Sequence, residues 1–124
     1  MWVNDWIGLP YADLGRGPEA FDCLGLFLAL QRVRFGREIP DPACSVEQAV
    51  RRGVVEARRS DVIRVAQAQE GDALLFYAHG RPLHLGFALN NQDMLHIDSI
   101  AGSRVERWRA AAWLGKLEGI YRFA

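Results

Sequence analysis

Apolar residues occupy nearly every position between residues 23 and 35, which predicts a helix that is buried on most of its surface. Asp22 stands directly before this segment and is a favourable N-cap residue. Gly36 stands directly after it, where glycine commonly ends a helix. The pattern therefore predicts a central helix that begins at Cys23 and ends at Phe35.

The regions on either side of this helix show shorter helical patterns. Two tryptophans one turn apart in residues 2–6 predict a short N-terminal helix, and the glycines and prolines of residues 8–18 predict a long ordered loop after it. Ser45 and Gln48 form a capping box, from which a second helix is predicted to run to around Arg58. The helices are therefore expected in the first half of the chain.

From residue 71 onward the pattern changes to the two-residue period of strands. The predicted strands cover residues 72–77, 83–89 and 94–98, with further strands at 105–108 and 119–123 and a helical turn near Trp113. Residues 90–92 predict the turn of a hairpin. Helices followed by a meandering antiparallel sheet predict an α+β fold for one domain over residues 1–124.

Charge and composition exclude several classes of protein. Fifteen basic and fifteen acidic residues cancel, so the chain lacks the positive field of a protein that binds nucleic acid or docks on an anionic membrane. No apolar run is long enough to span a bilayer, and residues 1–8 lack the features of a signal peptide. We therefore expect cytoplasmic synthesis without a signal peptide. In that reducing compartment a structural disulfide between Cys23 and Cys44 is not expected, and Cys44 is interpreted as a small semi-buried residue.

Cys23 carries the first candidate chemistry. A thiol at a helix N-terminus faces unpaired backbone N–H groups and the positive end of the helix dipole. With a histidine nearby, these groups lower the thiol pKa from about 8.5 to roughly 3.5–7.5, which favours the nucleophilic thiolate. Taken alone, a cysteine in this position is more often a small buried residue, so its role depends on which histidine approaches it.

Two of the three histidines are predicted to lie together on one face of the sheet. In the strand of residues 83–89, His84 shares its face with a glycine and an alanine, and we expect the helix that carries the thiol to approach this small face closely. If the turn is residues 90–92, residue 86 lies opposite His96. His84 and His96 are then diagonal neighbours about 7–8 Å apart, and their imidazoles can meet tip to tip.

A thiol, a base and an orienting group in this order can catalyse attack on an acyl carbonyl. Cys23 would attack, His84 would take and return the proton, and His96 would fix the tautomer of His84. The backbone N–H of Cys23 and a nearby hydroxyl would meet the oxyanion. The same residues could bind zinc, but no Cys-x-x-Cys pair is present and the histidine spacing is not that of a zinc finger. We therefore predict no metal and no cofactor. His79 lies in a loop and is expected to be solvated.

Seven short segments spread over nearly the whole chain form a joint pattern. They are GLPY at residues 8–11, RGP at 16–18, FDCLGL at 21–26, GDALLF at 71–76, HLG at 84–86, LHI at 95–97 and GIYRF at 119–123. Together they resemble the NlpC family of bacterial cell-wall cysteine peptidases. This resemblance implies a compact papain-like fold in which the nucleophilic cysteine, at a helix N-terminus, packs on the sheet.

The resemblance also assigns roles to individual residues. It places the nucleophile at Cys23, the base at His84, the third polar residue at His96 and a tyrosine near the oxyanion site at Tyr11. Asp22 matches an acidic residue that binds a free amine of the substrate, and a plain N-cap is the equal alternative.

Two departures from the family pattern bear on substrate choice. The residue after the nucleophile is usually serine and here is Leu24, and residues 12–15 lack the tryptophan often found just after the tyrosine. The catalytic set itself is intact.

The implied activity is hydrolysis of an amide bond in peptidoglycan stem peptides, most often between γ-D-glutamate and a diamino acid. The chain further resembles tail-associated peptidases of phages and prophages, which implies phage tail partners and a location in the virion tail. Two alternatives remain: a catalytically silent tail assembly protein, and an amidase or acyltransferase that uses the same cysteine and histidines.

Overall fold

The computed structural model describes residues 1–78 and 81–123 and contains the predicted central helix. Helix α1 spans Cys23–Phe35. The side chain of Asp22 accepts a hydrogen bond from the backbone N–H of Gly25 at 2.6 Å, and Gly36 ends the helix with φ 63°. Both predicted ends are confirmed, because residues adjacent in the sequence determine them.

The remaining elements are short helices followed by strands, with one short helix before the last strand. The helices are α2 (Val46–Arg51), α3 (Val54–Ala57) and α4 (Ala111–Leu114), with 3-10 helices at Trp2–Trp6 and Arg59–Asp61, and the strands are β1 (Val62–Val65), β2 (Ala73–Ala78), β3 (Arg81–Ala88), β4 (Asp93–Asp98), β5 (Gly102–Arg107) and β6 (Leu117–Phe123).

The predicted second helix is two helices. The capping box at its start is confirmed, because Ser45 and Gln48 exchange hydrogen bonds of 3.1 Å in both directions. Continuation to Arg58 is wrong, since the chain leaves the helix at Arg52 and takes a left-handed conformation at Gly53, with φ 74°. Glycine adopts that conformation without the steric cost that other residues have, and it separates α2 from α3.

All strands belong to one antiparallel sheet in the order β1-β6-β2-β3-β4-β5. This mixed arrangement confirms the predicted α+β class. The edge strand β1 was not predicted. Among the described strands it pairs with β6 alone. Its two central residues, Ile63 and Arg64, are both exposed, so it lacks the alternation of buried and exposed residues that marks a strand in a sequence.

The register between β3 and β4 is the predicted one. The pairs Phe87↔Leu95 and Ala88↔Met94 have the offset that places residue 86 opposite residue 96. Beyond Phe87 the ladder between these two described strands ends, although both strands continue. The sheet therefore forks on the side toward His84.

Helix α1 packs on the sheet face opposite to the predicted one. Leu26, Phe27 and Leu30 of α1 belong to one buried cluster with Phe87 of β3. The face that carries His84 belongs to a second cluster that includes Phe76, Met94 and Trp108. The expectation that the small residues Gly86 and Ala88 admit the helix is therefore wrong. Bulky side chains fill the interface with the helix, and a Cβ at Gly86 would lie 2.9 Å from the sulfur of Met94.

Within residues 1–78 and 81–123, no helix has both the length and the apolar character needed to cross a bilayer.

Candidate active site

The Cys23 sulfur lies beside strand β3, at the fork of the sheet. Cys23 is half-buried, and the backbone N–H groups of Leu85, Leu24 and Cys23 itself lie near enough to the sulfur to favour its anionic form. The N–H of Leu85 belongs to the peptide bond that follows His84. The fork therefore lets a thiol from the helix layer reach the backbone next to a histidine whose side chain lies on the other face.

The thiol is neutral in this environment. Burial, and to a lesser extent the nearby Asp22 carboxylate, raise the pKa of Cys23 to about 12 against the opposing backbone N–H groups. This corrects the expectation of a lowered pKa. The helix N-terminus favours an anion, but here the anion that occupies it is the Asp22 carboxylate, which caps the helix.

The rate at which iodoacetamide alkylates Cys23 is expected to rise about tenfold per pH unit over the whole range from about pH 6 to about pH 10. Only the thiolate reacts, and a pKa of about 12 keeps it a small fraction throughout. Peptide mapping by mass spectrometry measures the rate, and Cys44, 1% exposed, is the internal control for unfolding. A rate that reaches a plateau below pH 7 would indicate a thiolate–imidazolium pair and contradict this prediction.

Three side chains from β3, β4 and β5 form a continuous hydrogen-bonded row. His84 Nε2 lies 2.8 Å from His96 Nδ1, and His96 Nε2 lies 2.6 Å from Oε2 of Glu106. The predicted tip-to-tip contact of the two imidazoles is thus confirmed. Among the described residues, His84 Nδ1 makes no hydrogen bond.

Aromatic rings cover this row on the face away from α1. The Trp113 ring, from α4, stacks on His84 with centroids 5.4 Å apart and meets His96 edge-on at 5.0 Å. Burial, followed by the charge of a protonated His96, lowers the pKa of His84 to about 3. Burial also lowers the pKa of His96, against the opposing effect of Glu106. Both imidazoles are therefore neutral at neutral pH, and each ring keeps one unprotonated nitrogen.

Tyr11 reaches the site through a pairing within the N-terminal loop. A parallel bridge joins Tyr11 to Phe21, with hydrogen bonds of 3.1 Å on either side of it. Burial, a hydrogen bond with Asp13 and the nearby Cys23 and Asp22 charges raise the pKa of the Tyr11 hydroxyl to about 12. The Tyr11 hydroxyl is therefore neutral at neutral pH, and its proton is directed to Asp13.

Asp22 holds the N-terminal loop and helix α1 together. It is buried, and its Oδ1 accepts hydrogen bonds from the N–H of Gly25 and from Nη1 of Arg16 at 2.9 Å. Arg16 also bonds Asp41 at 2.8 Å and the carbonyl of Cys44 at 2.7 Å. The N-cap interpretation of Asp22 is confirmed, and binding of a substrate amine stays a prediction.

The loop passes so close to α1 that residue 25 has no room for a side chain. A Cβ at Gly25 would overlap the carbonyl oxygen of Gly15 and lie 3.2 Å from Oδ1 of Asp22. The sequence motif FDCLGL therefore contains a glycine for a steric reason.

Replacing Gly25 by alanine is expected to lower the free energy of unfolding by about 3 kcal/mol, because the methyl group forces the loop off the helix. Denaturant titration measures the change. The matched control is Gly115→Ala, where φ is −67° and a Cβ would only touch the Ala111 carbonyl at 3.5 Å. Its effect is expected to stay within about 1 kcal/mol. Equal losses in the two variants would contradict the steric argument.

The side chain of Leu24, which stands where serine is usual, packs against apolar neighbours. It packs against the core of the helix layer and lines an apolar cavity of about 370 Å³ between α1, α2 and the sheet, together with Leu85 and Phe27. The residue after the nucleophile therefore contributes to an apolar lining next to the site.

Sequence reasoning missed Glu106 and the position of Trp113. Glu106 pairs across the sheet with Met94, which places it on the histidine face. The alternation of residues 102–107 could have indicated that Glu106 lies on one face of a strand. Which face that is depends on the register between β4 and β5, which was not predicted.

Among residues 1–78 and 81–123, no group of three His, Cys, Asp or Glu side chains is placed to hold a metal ion. His79 lies outside the described residues.

Comparison with known proteins relates this fold to one family. Residues 8–122 match the model of the NlpC/P60 family. The structure is similar to the NlpC/p60 domain of the peptidoglycan hydrolase SagA, with a TM-score of 0.68 and 24% identity over 97% of this chain and 92% of that one. It is also similar to an NlpC/P60 family protein from Bacillus cereus ATCC 10987, with a TM-score of 0.73 and 20% identity over 97% of this chain.

NlpC2 from Trichomonas vaginalis gives a TM-score of 0.73 and 19% identity over 98% of this chain. The chain spans 37% of the Bacillus cereus protein and 44% of NlpC2, so it corresponds to a part of those proteins. Among curated proteins no match was found.

Proposed function

This chain belongs to the NlpC/P60 family of cysteine peptidases, and on that basis we propose that it hydrolyses an amide bond in the stem peptides of peptidoglycan, with Cys23 as nucleophile and His84 as base. The observation that carries the proposal is the pair of histidines joined at 2.8 Å next to the backbone N–H that contacts the Cys23 sulfur. A nucleophile, a base and a group that orients the base are the parts that this chemistry requires.

The reaction begins from a neutral thiol and a neutral imidazole. Nδ1 of His84, the ring nitrogen not bonded to His96, takes the thiol proton while the sulfur of Cys23 forms a bond to the carbonyl carbon. The imidazolium then returns the proton to the leaving amine, and the C–N bond breaks to give a thioester. Water, with His84 again as base, hydrolyses the thioester and restores the thiol.

The transition state carries a developing negative charge on the carbonyl oxygen. The backbone N–H of Cys23 and the hydroxyl of Tyr11 are the donors proposed to stabilise it, since both lie near the sulfur. The bond proposed to be cleaved is the one between γ-D-glutamate and a diamino acid, and Asp22 is proposed to attract a free amine of that substrate. Association with a phage tail stays a prediction.

Incubation of the protein with defined stem peptides and with purified peptidoglycan tests the proposal. Mass spectrometry of the products is expected to show two fragments whose masses sum to the peptide plus one water, cut after γ-D-glutamate. Absence of any cleavage would favour a catalytically silent assembly protein. Release of ammonia, or transfer of the acyl group to an added amine in preference to water, would instead assign an amidase or acyltransferase.

A further inference from the structure

Glu106 ends the row of hydrogen bonds that starts at His84, and three donors converge on one of its oxygens. His96 Nε2 lies 2.6 Å from Oε2, the indole N–H of Trp113 donates to the same atom at 3.2 Å, and Nη2 of Arg104 lies 3.3 Å from it. His96 itself is 1% exposed. A carboxylate is the side chain suited to this position, because all three neighbours can donate hydrogen bonds.

The carboxylate determines which nitrogen of His96 carries the proton. A carboxylate only accepts, so the neutral His96 holds its proton on Nε2 and leaves Nδ1 as an acceptor. His84 must then donate from Nε2 to His96 Nδ1. A neutral imidazole has one N–H, so Nδ1 of His84 is left with a lone pair.

We propose that Glu106 is a positioning residue which, through His96, holds His84 in the tautomer whose free lone pair is on Nδ1. This inference rests on the proposed function, in which that lone pair accepts the proton of the thiol. Without an acceptor at residue 106, His96 can carry its proton on Nδ1. His84 Nε2 must then accept from it, and His84 Nδ1 is protonated and unable to act as base.

Trp113 allows the orientation of the side-chain amide in a Glu106→Gln variant to be tested. The indole nitrogen is a donor only, so an oxygen must face it. In a Glu106→Gln variant this contact selects the amide orientation that places oxygen where Oε2 was, and the amide oxygen still accepts from His96. If Trp113→Phe is added, Nη2 of Arg104, at 3.3 Å, is the remaining donor besides His96 that faces the amide oxygen, and a fraction of the molecules can turn the NH₂ group toward His96.

The experiment compares kcat and KM for stem-peptide hydrolysis in five variants with the wild type. Glu106→Ala is expected to lower kcat about 10- to 100-fold with little change in KM, because it alters the base and not the binding surface. Glu106→Gln is expected to recover activity to within about fivefold of wild type. Glu106→Gln with Trp113→Phe is expected to be less active than Trp113→Phe alone, which accounts for the lost stacking of Trp113 on His84. Glu70→Ala, which removes an exposed ion pair with Arg34, is the matched control and is expected to behave as wild type.

A spectroscopic readout tests the same inference without activity. ¹⁵N NMR of the imidazoles is expected to show Nε2–H on both His84 and His96 in wild type and in Glu106→Gln, and a population with Nδ1–H in Glu106→Ala. Thermal unfolding checks that each variant is folded. Unchanged tautomers together with Glu106→Ala kinetics equal to those of Glu70→Ala would overturn the inference and leave the proposed function intact. A wild type that cleaves no peptide would defeat the proposed function, and the NMR would still decide the role of Glu106.

Discussion

Cys23→Ala is expected to lower kcat/KM for stem-peptide hydrolysis by about 10⁵-fold, to the level of background hydrolysis. Without the sulfur no thioester forms, and neither the two histidines nor the oxyanion donors provide another nucleophile. The expected loss of kcat/KM is this large because the residues act as a unit: the base has no proton to accept when the thiol is absent. Initial rates with a defined stem peptide, followed by product chromatography, measure the loss.

The control for this prediction is the second thiol of the chain. Cys44 is buried in the core and its carbonyl, which Arg16 binds, is retained in Cys44→Ala. This variant is expected to lose about 1 kcal/mol of stability and to keep its activity. Cleavage by Cys23→Ala at a rate similar to that of Cys44→Ala would remove Cys23 from the mechanism.

His84→Ala is expected to lower kcat by about 10⁴-fold, and His96→Ala by about 10- to 100-fold. His84 moves the proton in both halves of the reaction, whereas His96 orients the ring of His84 through the 2.8 Å contact. Steady-state kinetics with the same substrate give both values. The difference between the variants follows from their different distances from the proton that is transferred.

Packing complicates the comparison, because both imidazoles lie against Trp113. Unfolding curves for the two variants measure how much stability each has lost. A stability loss shared by both variants would not change the ratio of their kcat values. Equal losses of kcat, or a greater loss in His96→Ala, would mean that His96 is the residue that exchanges the proton with the substrate.

The parts of the site that could be predicted from the sequence depend on neighbours close in the chain. The ends of α1 follow from Asp22 and Gly36, each adjacent to the helix. The contact between His84 and His96 follows from one turn length, because a two-residue period fixes all later partners once the turn is known.

The parts that could not be predicted depend on contacts between distant segments. The face on which α1 packs is decided by side-chain volume over the whole sheet, and a lone strand pattern does not reveal it. The pKa of Cys23 depends on how deeply the loop and β3 bury the sulfur, which no local motif encodes. Glu106 joins the row through the register of a strand pair that the sequence left undefined.

The two sides of the sheet divide the site between two separately packed layers. Cys23 belongs to the helix layer, whereas His84 and His96 lie among the rings of the opposite layer. The two layers come into contact at the fork of the sheet beyond Phe87. The separation of the two reacting groups therefore depends on how each core positions its own member of the pair. A core substitution far from the thiol, such as one that creates a cavity under α1, would change catalysis by changing that separation, while leaving every residue of the site in place.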